Sequence, residues 1–95
     1  VHILPTLNPD GFETKSFLVD SVRQNANGKD LNRAFPTWKE LGKSREDLKS
    51  GREPEVVAAI DWILDNPFVL SINFHDGAVV ANYPWDDRDT RPWER

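Results

Sequence analysis

Two short apolar runs and one helical stripe, set apart by long polar stretches, carry the hydrophobic pattern of this chain. Val1 to Leu4 is an apolar stretch halted by Pro5, and Phe68 to Phe74 (FVLSINF) is β-rich and largely apolar. Both patterns predict strands, the second an interior one. Between them, Val56, Ala59, Ile60, Ile63 and Leu64 recur at helical spacing and predict one buried stripe on a helix over 53–66. Pro54 suits the first turn of that helix, Glu53 and Glu55 sit at the positive end of its dipole, and Asn66-Pro67 ends it. Ala78 to Tyr83 predicts a further extended segment, stopped by Pro84.

The polar stretches read as connections. Asn8-Pro9-Asp10-Gly11 stacks four turn formers. Residues 14–22 give a mixed signal, a short helix or an irregular loop. Arg23 to Lys29 (RQNANGK) is an amide-rich loop, and Pro36 stops any regular helix from running through the segment that follows. Leu41 to Gly51 reads as an exposed surface loop, and the tail from Trp85 is charged and without periodicity. A helix between two apolar strands is the βαβ pattern of an α/β sheet. These elements are too few to cover both faces of such a sheet. The chain opens at Val1 on what reads as the middle of a fold, with no signal peptide and no methionine anywhere. The expectation is a fragment of a larger domain.

Composition narrows the partners. Among 95 residues, 12 Lys and Arg face 16 Asp and Glu, a net charge of −4 that offers no basic excess for phosphate contacts and argues against nucleic acid. The four Trp, five Phe and one Tyr argue against disorder. No apolar run approaches the roughly 20 residues that span a bilayer. With no cysteine, a disulfide scaffold and a Cys-based zinc site are both excluded within these residues.

Several residues could carry chemistry. His75 follows an apolar strand and precedes Asp76-Gly77, so it stands where ligands gather in α/β sheets, outside the carboxyl end of a strand. Its imidazole could coordinate a metal or act as a base, or could simply be hydrogen-bonded at a strand end. One histidine does not make a zinc site, and His2 has no ligand at short spacing. Arg23, Asn32 and Arg33 fall in polar loops among apolar neighbours. Two guanidiniums and an amide could form a fork for a carboxylate, or stand solvated at the surface. Asp86 and Asp87, after Tyr83-Pro84-Trp85, could receive a basic side chain or be solvated in the same way.

As a set these motifs resemble a family. NPDGFE, then R-x8-N-R within RQNANGKDLNRAFP, then REPE, then PFVLSINFHDGAVVANYPWDD, are similar to the zinc metallocarboxypeptidases, in the regulatory branch that includes carboxypeptidases N, E, M and D. The likeness runs from Val1 to Asp87. It implies a mixed β-sheet flanked by helices, Zn2+ as cofactor, peptide or protein C termini as partners, and a place outside cells or in the secretory pathway. It implies that residues 1–95 are the central fragment of a single catalytic domain. The resemblance further implies that His75 is the third zinc ligand, that Asn32 and Arg33 bind the substrate's terminal carboxylate, and that Arg23 polarises the scissile carbonyl. Asp86 would select a C-terminal Lys or Arg.

Departures accompany the likeness. Asp76 stands where the family usually has glycine, Ala34 where it usually has asparagine, and Leu41 to Gly51 lengthens a connection. The upstream His-x-x-Glu that supplies two zinc ligands does not occur here, and the catalytic glutamate and closing tyrosine of the family lie downstream of this region. Asp76 and Ala34 favour an alternative, a catalytically inactive carboxypeptidase-like domain with a binding or structural role.

Overall fold

The structure is a computed structural model that describes residues 1–14, 23–75 and 80–81. Helix α3 (Pro54–Asp65) is its longest element. Proline occupies the first turn, where its missing N–H has no helical partner to lose. At the far end Pro67 forces Asn66 out of helical backbone, to φ −121° and ψ 137°, while the Asn66 side-chain amide donates to the carbonyl of Trp62 at 2.7 Å. Val56, Ala59 and Ile60 are buried, but Ile63 and Leu64 are each about half exposed, at 51% and 52%. The predicted stripe is therefore covered only along its first two turns. The reason lies in what faces it: Leu31 packs with Val56 and Ile60, flanked by Leu7, Ala34 and Phe35. Complete burial of a side chain such as Val56 contributes roughly 1.5–3 kcal/mol, so this small cluster is what fixes Leu31, and with it Asn32 and Arg33, against the helix.

Two stretches read as connections contain helices. Helix α1 (Pro9–Glu13) starts at Asn8, whose Oδ1 accepts from the Gly11 N–H at 3.0 Å. The turn formers of this segment act as a cap plus an N-terminal proline. Helix α2 (Arg45–Lys49) lies inside the stretch expected to be loop. Ser44 caps it, accepting from the Asp47 N–H at 3.1 Å, and the glycine beyond it, Gly51, takes φ +70°. The Ser-x-x-Asp pair and that glycine are helix signals that the charge-rich composition obscured.

Arg45 fastens α2 to α3. Its guanidinium donates from Nε to Asp61 at 2.7 Å and from Nη1 and Nη2 to Asp65 at 2.6 and 2.9 Å, and Lys49 Nζ adds a contact to Asp61 at 3.2 Å. The Arg45 hydrogen bond holds the Asp61 and Asp65 carboxyls below their ordinary range, with Lys49 adding to the effect on Asp61. A depressed carboxyl stabilises the fold above its unfolded pKa and loses that contribution as pH falls through the folded one. Stability in urea is therefore expected to drop below about pH 4, with a shallower acid arm in Arg45→Gln. An unchanged slope in that variant would show that the clamp does not drive the acid response.

The predicted strands are not formed among the described residues. Residues 68–74 lie outside any helix or strand, with Val69, Leu70, Ile72 and Phe74 exposed, as are Val1 and Ile3. A strand needs a neighbour for its N–H and C=O groups, and a purely apolar one needs cover on both faces. The described residues supply neither, so the mixed sheet is absent from them. They do bring the two apolar runs to one place: His2, Trp62 and Phe68 meet edge to face, with centroids 5.0–6.0 Å apart, beside the last turn of α3. No helix among the described residues is long and apolar enough to cross a membrane.

Candidate active site

Leu31 is the buried residue of a single 3-10 turn, Leu31–Arg33, and its neighbours Asn32 and Arg33 are exposed. An apolar anchor flanked by polar residues turns them outward, because only one side of so short a turn can face the core. The turn begins at Asp30, whose Oδ1 accepts from the Asn32 N–H at 3.0 Å. The other carboxylate oxygen, Oδ2, accepts from Arg23 Nε at 2.7 Å. One carboxylate thus joins Arg23 to the Asn32–Arg33 pair across seven positions of chain. The bond from Arg23 and the N–H of Asn32 hold the Asp30 carboxyl below its ordinary range, with the positive charges of Arg23 and Arg33 acting in the same direction. Asp30 is therefore an anion at neutral pH and keeps Arg23 in place by charge as well as by hydrogen bonding.

The backbone around Arg23 is tied down independently. Gln24 and Asp30 form an antiparallel bridge, and the side-chain amide of Asn8 donates to the carbonyls of Arg23 and Gln24 at 3.2 and 3.1 Å. Gly28 reverses the chain between the two arms with φ +69°, a conformation that disfavours any residue with a Cβ. On the far side, Arg52 reaches the Ala34 carbonyl at 2.5 Å, the Leu48 carbonyl at 2.6 Å and Glu40 Oε1 at 2.6 Å. At position 34 it is the backbone carbonyl that is used, which alanine supplies as well as asparagine would. An open cleft of about 330 Å³ lies between these segments, walled by Lys29, Asp30, Arg33 and Ala34 on one side and Gly51, Arg52 and Glu53 on the other. Its lining mixes Lys29, Arg33 and Arg52 with Asp30 and Glu53, and since Arg52 is already held by Glu40 and two backbone carbonyls, Lys29 and Arg33 are the cations on this lining that could meet a carboxylate.

Of the five residues singled out in the sequence, Arg23, Asn32 and Arg33 are gathered around Asp30. His75 is exposed at the end of the 68–74 segment. Asp86, like Asp76, lies outside the described residues. No group of three His, Cys, Asp or Glu that could hold a metal ion occurs among the described residues. A lone imidazole falls short of the three protein donors of a catalytic zinc, so these residues do not by themselves fit the metal. The sequence pattern does not mark Asp30 or Asn8 as site residues. Asp30 is visible there as a helix-capping acid just before Leu31, but its second partner, Arg23, is a product of chain reversal.

A family model described as zinc carboxypeptidase matches residues 1–95. The chain is 46% identical over 107 residues to the carboxypeptidase N catalytic chain of Rattus norvegicus, covering 90% of this chain and 23% of that one. It is 48% identical over 97 residues to carboxypeptidase D of Mus musculus, covering 92% of this chain and 7% of the relative. With carboxypeptidase E of Caenorhabditis elegans it shares 43% over 106 residues, 90% of this chain and 22% of the relative. The chain therefore spans less than a quarter of the length of these curated relatives. No solved structure matches it.

Proposed function

The chain belongs to the zinc carboxypeptidase family, and on that premise we propose that it is the central part of one catalytic domain whose parent enzyme hydrolyses the last peptide bond of peptides ending in Lys or Arg. The observation that carries this reading is Asp30, which holds Arg23 and the Asn32–Arg33 turn in one arrangement, with Arg33 on the wall of an open cleft. Hydrolysis at a chain end asks for two anion sites: one for the free terminal carboxylate, one for the oxyanion that forms at the scissile carbonyl. Arg33 and the Asn32 amide serve the first, a guanidinium fork and a neutral donor. Arg23 serves the second, its Nε already committed to Asp30 and its terminal nitrogens the part that would meet substrate. Asp86 receives the basic side chain.

His75 is one zinc ligand in this reading, and the remaining donors come from elsewhere in the parent domain. The exposed apolar runs 1–4 and 68–74 support a mixed sheet there, since strands of that composition are stable only when covered. The family resemblance supports a parent that works outside cells or in the secretory pathway. The test is release of the last residue from peptides differing only at that position, followed by mass spectrometry on the full-length protein. Asp86→Asn is expected to lower the preference for Lys over Leu ends by roughly 30-fold or more, the cost of removing one partner of a charge pair. An unchanged preference would take the side-chain reading away from Asp86. No release from any peptide would remove the enzyme reading altogether.

A further inference from the structure

Asn25 is the buried polar residue among the described residues, 6% exposed, and the function proposed above assigns it no role. Burying an amide is costly unless its hydrogen bonds are made. Here all are made. Its Oδ1 accepts from the N–H groups of Asn27 and Lys29 at 3.1 and 2.9 Å, and its backbone N–H and C=O pair with Lys29 and Gly28. Those bonds close the 24–30 hairpin from inside. Its Nδ2 donates outward, to Glu53 Oε2 at 2.8 Å and Glu55 Oε2 at 3.2 Å, at the start of α3 and 28 and 30 positions along the chain. Asn27 Nδ2 adds a second donor to the same Glu53 oxygen at 2.8 Å.

Two carboxylates converging on one place repel unless donors separate them. The amides of Asn27 and Asn25 and the charge of Lys29 hold the Glu53 carboxyl below its ordinary range. The hairpin is thereby fastened to a helix that the core cluster already fixes. Arg23 leaves one foot of that hairpin, and Asp30, Asn32 and Arg33 leave the other. A shift of the hairpin moves both feet relative to α3.

We propose that Asn25, gripped by Glu53, is a positioning residue that sets where Arg23 and the Asn32–Arg33 pair stand relative to α3. The inference rests on the reading of those three residues as substrate contacts. Displacements on the order of 1 Å cost up to about 100-fold in such sites, so the contact is expected to be visible in ligand binding. In the full-length holoenzyme, Asn25→Asp sets a third carboxylate against Glu53 and Glu55. The probes are N-acetyl-lysine and its amide, a product-like pair differing in the terminal carboxylate, with Kd measured by calorimetry. Asn25→Asp is expected to weaken the free acid about tenfold and leave the amide unchanged, a loss of about 1.4 kcal/mol. Asn25→Asp with Glu53→Gln exchanges donor and acceptor across the same contact and is expected to recover acid binding to within about threefold of the wild type. General loosening of the fold would weaken acid and amide alike and would not be rescued by the exchange. If Asn25→Asp does not fold, the exposed Asn27→Ala removes one donor to Glu53 and is expected to show about a threefold loss confined to the acid. Acid binding unchanged in these variants, or lost without rescue, overturns the inference while the carboxylate reading stands. A wild-type enzyme that binds acid and amide equally overturns the carboxylate reading itself, and the inference with it.

Discussion

Arg23→Ala in the full-length enzyme is expected to lower kcat by about 100- to 1,000-fold, the loss that follows removal of one preorganised donor to an oxyanion. KM for the same peptide should change far less, because in the proposed role Arg23 meets a charge that the ground-state carbonyl hardly carries. The arrangement seen here gives the reason for so large an effect. Asp30 takes Arg23 Nε at 2.7 Å and is itself fixed by the N–H of Asn32, so the guanidinium is held before substrate arrives. Preorganisation of this kind makes a donor costly to remove. Steady-state kinetics on a lysine-terminated peptide, with kcat and KM resolved, is the measurement. A defect confined to KM would move Arg23 from oxyanion stabilisation to substrate binding.

Arg33→Ala is expected to act in the opposite way. KM for peptides with a free C terminus should rise by roughly 10- to 100-fold, the range for losing hydrogen bonds to a charged group. Binding of amidated peptides should be nearly unaffected, since they present no carboxylate to the fork. Arg33 lines the cleft beside Lys29 and Arg52, and its own Nη1 bonds to the Asn32 carbonyl at 3.0 Å, which keeps it next to its amide partner. Equal losses on acid and amide would place Arg33 outside the carboxylate site. Arg33→Lys should recover only part of the effect, because an ammonium cannot grip both oxygens in a planar fork.

Some of this was legible along the chain because it depends on neighbours in sequence. The helix of Pro54–Asp65 follows from a proline start, an apolar period and an Asn-Pro stop, all local. Arg23 and the Asn32–Arg33 pair stood out by spacing and by family likeness. Their meeting did not, because it runs through Asp30 and through a hairpin whose inner bonds are made by Asn25. That residue read as one amide in a polar loop. Nothing in RQNANGK tells which of its amides will be buried, since burial is decided by Glu53 and Glu55 arriving from 28 and 30 positions away.

Helix α2 shows the opposite case, a local signal masked by the charge around it. Ser44, Asp47 and Gly51 mark its ends, but the density of charge around them reads as solvated loop. That charge turned out to be structural, with Arg45 spent on Asp61 and Asp65. The extended runs 1–4 and 68–74 mark a further boundary. Their apolar character is plain in sequence, but a strand exists only when another strand receives its hydrogen bonds, and that partner is not among the described residues.

The sequence by itself determined the family, the helix that carries the core, and which residues are candidates for a carboxylate site. These depend on identity and spacing, which the chain states directly. Tertiary structure alone decided that Asp30 receives Arg23, that Ile63 and Leu64 of the α3 stripe stay exposed, and that Asn25 is buried against two glutamates. Each of those is a contact between distant segments, set by packing around Leu31 and Val56, and no local pattern encodes it.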